Sequence, residues 1–223
     1  MINIAKTIDL AVLKPNRLKD DLIQACRLAR KYKVASVCVR PVDISLTKIL
    51  LCNSKVLTST VIDFPHGGQI TDIKVNEVLR AIATGTQELD VVMDIAAFLD
   101  GRYDYVRQSL NIIVSSAKDI PVKVIIETGY LTPNEIITAS QLVEESGAAY
   151  VKTCTGFGPR GVAPSDIYHI MSAVSIPVKA SGGIKTYAKA AGLVCQGCKR
   201  LGIGWESIEN ILKEAENAST SNN

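Results

Sequence analysis

Ser146-Gly147-Ala148-Ala149-Tyr150-Val151-Lys152-Thr153-Cys154-Thr155-Gly156-Phe157-Gly158 joins three structural signals in one stretch. Gly147 marks a helix end, because glycine takes the left-handed conformation at the helix C′ position at little steric cost. Tyr150-Val151-Lys152 is a short β-prone run, and it opens directly into a Thr/Gly-rich loop. The same device recurs at Thr84-Gly85-Thr86-Gln87 before residues 88–92, and at Gln196-Gly197-Cys198-Lys199 before residues 200–203. Ile120-Pro121 and Ile176-Pro177 introduce runs at 122–126 and 178–180, since proline is tolerated where a strand begins. Residues 35–39, stopped by Arg40-Pro41, and 55–62, closed by Phe64-Pro65-His66-Gly67-Gly68, are two more strands, and 7–10 is the eighth. Helical spacing covers 20–32, through Leu22, Ile23, Cys26, Leu28 and Ala29, and helices are also predicted over 43–51 and 71–84. Repeated strand-helix units imply a parallel sheet, and eight of them imply closure into a single-domain (βα)8 TIM barrel of the α/β class over 1–215. An open doubly wound sheet is the alternative, but no G-x-G-x-x-G follows an early strand. The polar end, 216–223, is predicted to be frayed.

Apolar residues make up 47% and charged residues 21% of the 223, the composition of an ordinary globular chain with a sizeable core. The net charge is +3 and the lysines are interspersed with Asp and Glu, so no basic stripe exists for nucleic acid. Lys, Arg, Asp or Asn breaks every apolar run short of the roughly 18–20 residues that a membrane span requires. Met1-Ile2-Asn3-Ile4-Ala5-Lys6 lacks the basic-then-apolar order of a signal peptide, and a cytoplasmic location is expected. The six cysteines (Cys26, Cys38, Cys52, Cys154, Cys195, Cys198) are scattered, which predicts free thiols. Cys195-Gln196-Gly197-Cys198 has no second pair beside it and reads as two incidental thiols.

Strand ends of a barrel converge on one mouth, so polar residues there are the candidates for chemistry. Lys123, Lys152, Lys179 and Asp90 each stand among apolar residues in a predicted strand, where barrels bury both faces. Singly, each fits a snorkelling or salt-bridged residue. Together they form a set of buried charges that must be partnered and that perturb one another. Covalent catalysis by an amine needs such a set, with Lys152 as the Schiff-base nucleophile. A lysine attacks a carbonyl only when neutral, and partial desolvation plus a neighbouring ammonium favour that form; Lys179, one strand further on, is placed to supply the charge. Asp90 can exchange protons with the intermediates, directly or through water. Ala180-Ser181-Gly182-Gly183 and Leu201-Gly202-Ile203-Gly204 are either a phosphate cradle of backbone N–H groups or ordinary tight turns.

At these residues the chain resembles the deoxyribose-phosphate aldolase family of class I aldolases, which are (βα)8 barrels. The shared motifs are Ile8-Asp9 with Leu13-Lys14-Pro15, residues 35–41, Phe64-Pro65-His66-Gly67, Glu88-Leu89-Asp90-Val91-Val92, residues 122–128, Val151-Lys152-Thr153 with Thr155-Gly156-Phe157-Gly158, and residues 178–184. The resemblance implies reversible cleavage of 2-deoxyribose 5-phosphate to glyceraldehyde 3-phosphate and acetaldehyde, with no metal or organic cofactor. It implies that Lys152 forms the imine, that Lys179 assists it by charge and proton transfer, that Asp90 is the proton relay and that Lys123 supports them. It also implies that Asp9 contacts a substrate hydroxyl, that Thr153, Gly156, Gly182 and Gly183 cradle substrate and phosphate, and that Gly202 and Gly204 lie at the phosphate end. Self-association into a homo-oligomer is a further implication.

The departures bear on the substrate. Ala11 stands where the family has Thr, Asp63 where it has Gly, and Cys154 where it has Ser. The family's Gly-Thr-Ser-Ser reads Gly202-Ile203-Gly204-Trp205, followed by Glu206, so hydroxyl donors for a phosphate are missing. A related lysine-dependent aldolase with a different or non-phosphorylated substrate is therefore an alternative. A non-catalytic ligand-binding barrel is another, opposed by the joint presence of Lys152, Lys179 and Asp90. A metal-dependent aldolase or isomerase is disfavoured because His66 and His169 are the only histidines.

Overall fold

The computed structural model describes residues 4–220. Its strands are β1 (Ile8–Val12), β2 (Ser36–Val39), β3 (Leu57–Ile62), β4 (Glu88–Val92), β5 (Val122–Ile125), β6 (Tyr150–Lys152), β7 (Val178–Ser181) and β8 (Arg200–Gly204). Each pairs in parallel with the next, and β8 returns to pair with β1, so the sheet closes into the expected barrel. The surrounding helices are α1 (Lys19–Tyr32), α2 (Ile44–Leu50), α3 (Thr71–Thr84), α4 (Ile95–Leu99), α5 (Tyr103–Ser116), α6 (Pro133–Glu145), α7 (Pro164–Ala173), α8 (Tyr187–Cys195) and α9 (Ile208–Thr220).

The glycine device works as the sequence predicts. Gly85, Gly147 and Gly197 all have positive φ, at 102°, 77° and 109°, just where a helix stops and the chain turns into β4, β6 and β8. Boundaries differ at a few places. Thr7 closes a 3-10 turn, Ile4–Thr7, by donating its hydroxyl to the Ile4 carbonyl, so β1 starts after it and runs on to Val12. The predicted helix over 43–51 resolves into a 3-10 turn, Pro41–Asp43, followed by α2. α9 carries helical backbone through residues 216–220, which the polar composition had marked as frayed, and residues 221–223 lie outside the described ones.

Strand alternation sorts the side chains into two sets. Ile8, Leu10 and Val12 of β1, Val37 and Val39 of β2, Leu89 and Val91 of β4 and Leu201 and Ile203 of β8 are buried in the apolar layer between sheet and helices. Leu22, Ala25, Cys26 and Ala29 of α1 meet that layer from the helix side. Burying each such Leu or Ile contributes about 1.5–3 kcal/mol, so this annulus is the hydrophobic core. The alternate residues point inward, and they are mostly polar: Asp9, Ser36, Ser59, Glu88, Asp90, Lys123, Lys152 and Lys179 are all buried. Barrel interiors are usually packed with branched apolar residues. Here the interior is ionic.

Candidate active site

Register brings the inward charges side by side. Asp90 lies beside Lys123, and Lys152 beside Lys179, on neighbouring strands. The Nζ atoms of Lys152 and Lys179 both stand 2.7 Å from the same oxygen, Asp90 Oδ2, and Lys123 Nζ is 3.4 Å from Asp90 Oδ1. Lys179 also reaches Asp9 at 2.6 Å, and Lys123 reaches Glu88 at 2.7 Å. Arg200 closes the floor by bonding Asp9 and, at 2.6 Å, Glu88. Burial alone pushes a carboxyl up and an ammonium down, yet the opposite charges prevail here. Against the upward push of burial, Lys152, Lys179 and Lys123 hold the Asp90 carboxyl well below the usual carboxylate range. Asp9 is likewise held down, burial being outweighed by Lys179, Lys123 and Arg200. Lys179 and Lys123 are pushed up, because Asp9 and Asp90 more than offset burial. The Cys38 thiol, 3.9 Å from Asp90 Oδ2, is pushed up to about 11 by burial and by the Asp90 charge.

Lys123, Lys152, Lys179 and Arg200 thus face Asp9, Glu88 and Asp90, leaving one positive charge in excess. Lys152 differs from the other cations. Among the described residues it meets Asp90 alone as a carboxylate partner, and it lines a cavity of about 520 Å³ at the barrel mouth. Lys123 has no exposed side chain and lies beneath that cavity.

The loops above the lysines are tied down by polar contacts. Glu127, a buried carboxylate, accepts hydrogen bonds from the Thr155 N–H at 3.0 Å and from the Thr155 hydroxyl, fixing the loop after β6. Gly182 has φ +92°, and a Cβ there would lie 3.0 Å from Gly161 Cα and 3.1 Å from Cys154 Cβ, so glycine lets the loops after β6 and β7 touch. At Gly202 a Cβ would lie 2.7 Å from Ser181 Cβ and 3.5 Å from Lys179 Cε; its absence makes room for the lysine stem. On the other side of Lys152, the Phe64 ring centroid is 5.9 Å from Nζ and packs edge-on against Phe157 at 5.3 Å. Asp63, just before it, has φ 49°, a conformation more accessible to Asp than to most side chains. Its carboxylate pairs at 3.0 Å with Lys74, a fully buried lysine that also donates to the Gly67 carbonyl at 2.8 Å. Asp63 in place of the family's glycine is therefore accommodated by a local ion pair.

A family model for DeoC/LacD family aldolases matches residues 4–197. The chain belongs to that family. The deoxyribose-phosphate aldolase of Caldanaerobacter subterraneus subsp. tengcongensis is 40% identical over 221 residues, covering 96% of each chain. That of Thermococcus gammatolerans is 42% identical over 223 residues, covering 97% of this chain and 98% of the relative. Among solved structures, an aldolase called QR15 superposes with a TM-score of 0.92 at 35% identity, covering 99% of both chains. The deoxyribose phosphate aldolase of Aeropyrum pernix, described as having a unique tetrameric structure, gives 0.85 at 27% identity, covering 96% of this chain and 91% of its own.

In this aldolase Asp9, Asp90, Lys152, Lys179, Gly156, Gly182, Gly183, Gly202 and Gly204 line one cavity. Thr153 does not. It is fully buried, and its hydroxyl accepts from the Ser181 N–H at 2.9 Å and donates to the Ser181 carbonyl at 3.1 Å, so it ties β6 to β7 from below. Cys154 is buried against the Thr128 hydroxyl at 3.3 Å and Ile203 faces the core, so these two departures lie off the cavity, whereas Ala11, Trp205 and Glu206 line it. Sequence reasoning passed over Glu88, Arg200, Cys38 and Ser181. Each stands two positions from a residue already singled out or from a second inward residue, as Glu88 does from Asp90 and Arg200 from Gly202, so strict alternation was the signal that could find them.

Proposed function

We propose that the chain reversibly cleaves 2-deoxyribose 5-phosphate to glyceraldehyde 3-phosphate and acetaldehyde through an imine on Lys152. The relatives named deoxyribose-phosphate aldolase supply the substrate, and one observation carries the chemistry: Lys152 and Lys179 line one cavity and share Asp90 Oδ2, but Lys179 is also held by Asp9, whereas among the described residues Lys152 has the single carboxylate contact. Removing one proton from the cluster balances its charges, and a lysine becomes a nucleophile only as the free amine. Lys179, held as an ammonium by Asp9 and Asp90, stays charged beside Lys152 and can donate a proton to the reacting oxygen.

Lys152 Nζ attacks the C1 aldehyde of the open-chain sugar, and loss of water leaves the iminium. That cation draws the electrons of the C2–C3 bond as the C3 hydroxyl loses its proton; C3 leaves as the aldehyde of glyceraldehyde 3-phosphate and C2 remains as an enamine. Protonation of C2 and hydrolysis release acetaldehyde and the free lysine. Asp90 passes the protons, directly or through water, while Lys123, 3.4 Å from its Oδ1, keeps it oriented. Asp9, which lines the same cavity, orients substrate hydroxyls, and Gly156, Gly183 and Gly204 line the wall left for the substrate's far end. The fold acts as one catalytic domain in the cytoplasm, and exposed apolar side chains such as Val42, Ile49 and Ile70 suit self-association. Among the described residues no helix is long and apolar enough to cross a membrane.

Borohydride reduction in the presence of acetaldehyde tests the central step. Mass spectrometry is expected to find an ethyl group on Lys152, and Lys152→Met to lose both label and turnover. Label on another lysine with Lys152 unmodified refutes the assignment.

A further inference from the structure

β8 carries the cavity from the lysine cluster to its mouth. Gly202 lies against the Lys179 stem, and Gly204, two residues on, stands about 6–7 Å further along the strand. A sugar held at C1 by Lys152 presents its far end to this part of the wall. Glu206 occupies it. Its Oε2 lies 3.1 Å from where a Cβ on Gly204 would be, and its Oε1 is 2.8 Å from Lys14 Nζ. Both residues line the same cavity as Lys152, and both are half-exposed, so the pair is solvent-screened and loosely held. Of the other cations there, Arg17 is paired with Asp43, and Lys185 is exposed on the rim.

The geometry points to Glu206 as a specificity-determining residue that sets a negative charge at the far end of the cavity, so that the aldolase accepts 2-deoxyaldoses ending in a hydroxyl nearly as readily as those ending in a phosphate. This rests on the imine chemistry proposed for Lys152. A phosphate dianion entering beside Gly204 meets a carboxylate and competes with it for Lys14, a like-charge contact of the kind that excludes ligands. A terminal hydroxyl instead donates a hydrogen bond to the carboxylate. Trp205, between Gly204 and Glu206, packs partly against the core and offers no hydroxyl in compensation.

The test compares kcat/KM for 2-deoxyribose 5-phosphate and 2-deoxyribose in the native enzyme, Glu206→Gln and Lys14→Met. The native phosphate-to-hydroxyl ratio is expected within about tenfold of unity, and Glu206→Gln to raise it by about tenfold through KM for the phosphate ester. Lys14→Met leaves Glu206 unpaired and lowers the ratio. Inorganic phosphate should inhibit Glu206→Gln more strongly than the native enzyme. A native preference for phosphate of 100-fold or more (about 2.7 kcal/mol), or a ratio indifferent to Glu206→Gln, overturns the inference. Trapping of acetaldehyde at Lys152 involves no phosphate; its failure overturns the imine reading, and its success with an unaltered ratio overturns only the role of Glu206.

Discussion

Asp90→Asn removes the charge on which three lysines converge while keeping the size of the side chain. Lys123 retains Glu88 at 2.7 Å and Lys179 retains Asp9 at 2.6 Å, but Lys152 loses its carboxylate partner. Breaking a buried pair from one side costs about 3–5 kcal/mol, and because two of the three cations stay compensated the lower figure applies, about 3 kcal/mol. For a domain of this size that lowers Tm by about 6–12 °C. The kinetic effect is separate: without a proton relay, turnover should fall about 100- to 10,000-fold. Imine formation should survive, since Lys152 remains in place with Lys179 beside it. The assays are differential scanning calorimetry at neutral pH, steady-state turnover, and borohydride labelling by acetaldehyde. Labelling abolished in step with turnover would refute the division of labour between Lys152 and Asp90. An unchanged Tm would refute the view that the interior charges hold one another in place.

Stability should also follow pH in a defined way. Asp9 and Asp90 titrate below their ordinary value of 3.8 in the folded chain, so their contribution is complete above that value and is lost as pH falls below it. Lys179 titrates above its ordinary value of 10.5, so its contribution is complete below that value and is lost as pH rises through its folded one. Melting curves should therefore be flat from about pH 5 to pH 9 and fall steeply below about pH 4; a decline beginning near neutrality would count against the network. Two glycine substitutions separate packing from backbone entropy. Gly202→Ala drives a methyl into Ser181 and the Lys179 stem and should cost about 1–3 kcal/mol together with turnover. Gly192→Ala, in α8 with open space around it, should stabilise by about 0.5–1 kcal/mol and leave kinetics unchanged; equal effects at both sites would contradict the packing described around Lys179.

The barrel was legible because its punctuation is local. Gly85, Gly147 and Gly197 stop helices through their own backbone conformation, and Pro121 and Pro177 introduce strands through theirs. Lys123, Lys152, Lys179 and Asp90 stood out because a charge inside an apolar run is costly wherever it points. Thr153 was misplaced for a different reason: its type suits both a substrate contact and a strand tie, and only the closeness of Ser181, far away in sequence, decides between them. The Asp63–Lys74 pair was invisible for the same reason, since nothing local tells Lys74 from any other helical lysine. Glu206 was noticed as a neighbour of Trp205, but its reach back over Gly204 to Lys14 depends on closure of β8 against β1.

The ionic interior is also divided along the chain. Its carboxylates, Asp9, Glu88 and Asp90, all come from β1–β4, and its cations, Lys123, Lys152, Lys179 and Arg200, all from β5–β8. Each half of the barrel is thus a template of one sign. Two copies of the first half closed into a ring would enclose only acids, and two copies of the second only bases, each without the counter-charges that burial demands. Closing the ring is thus what brings each charge to its counter-charge: the early strands supply every acid of the interior and the late strands every base.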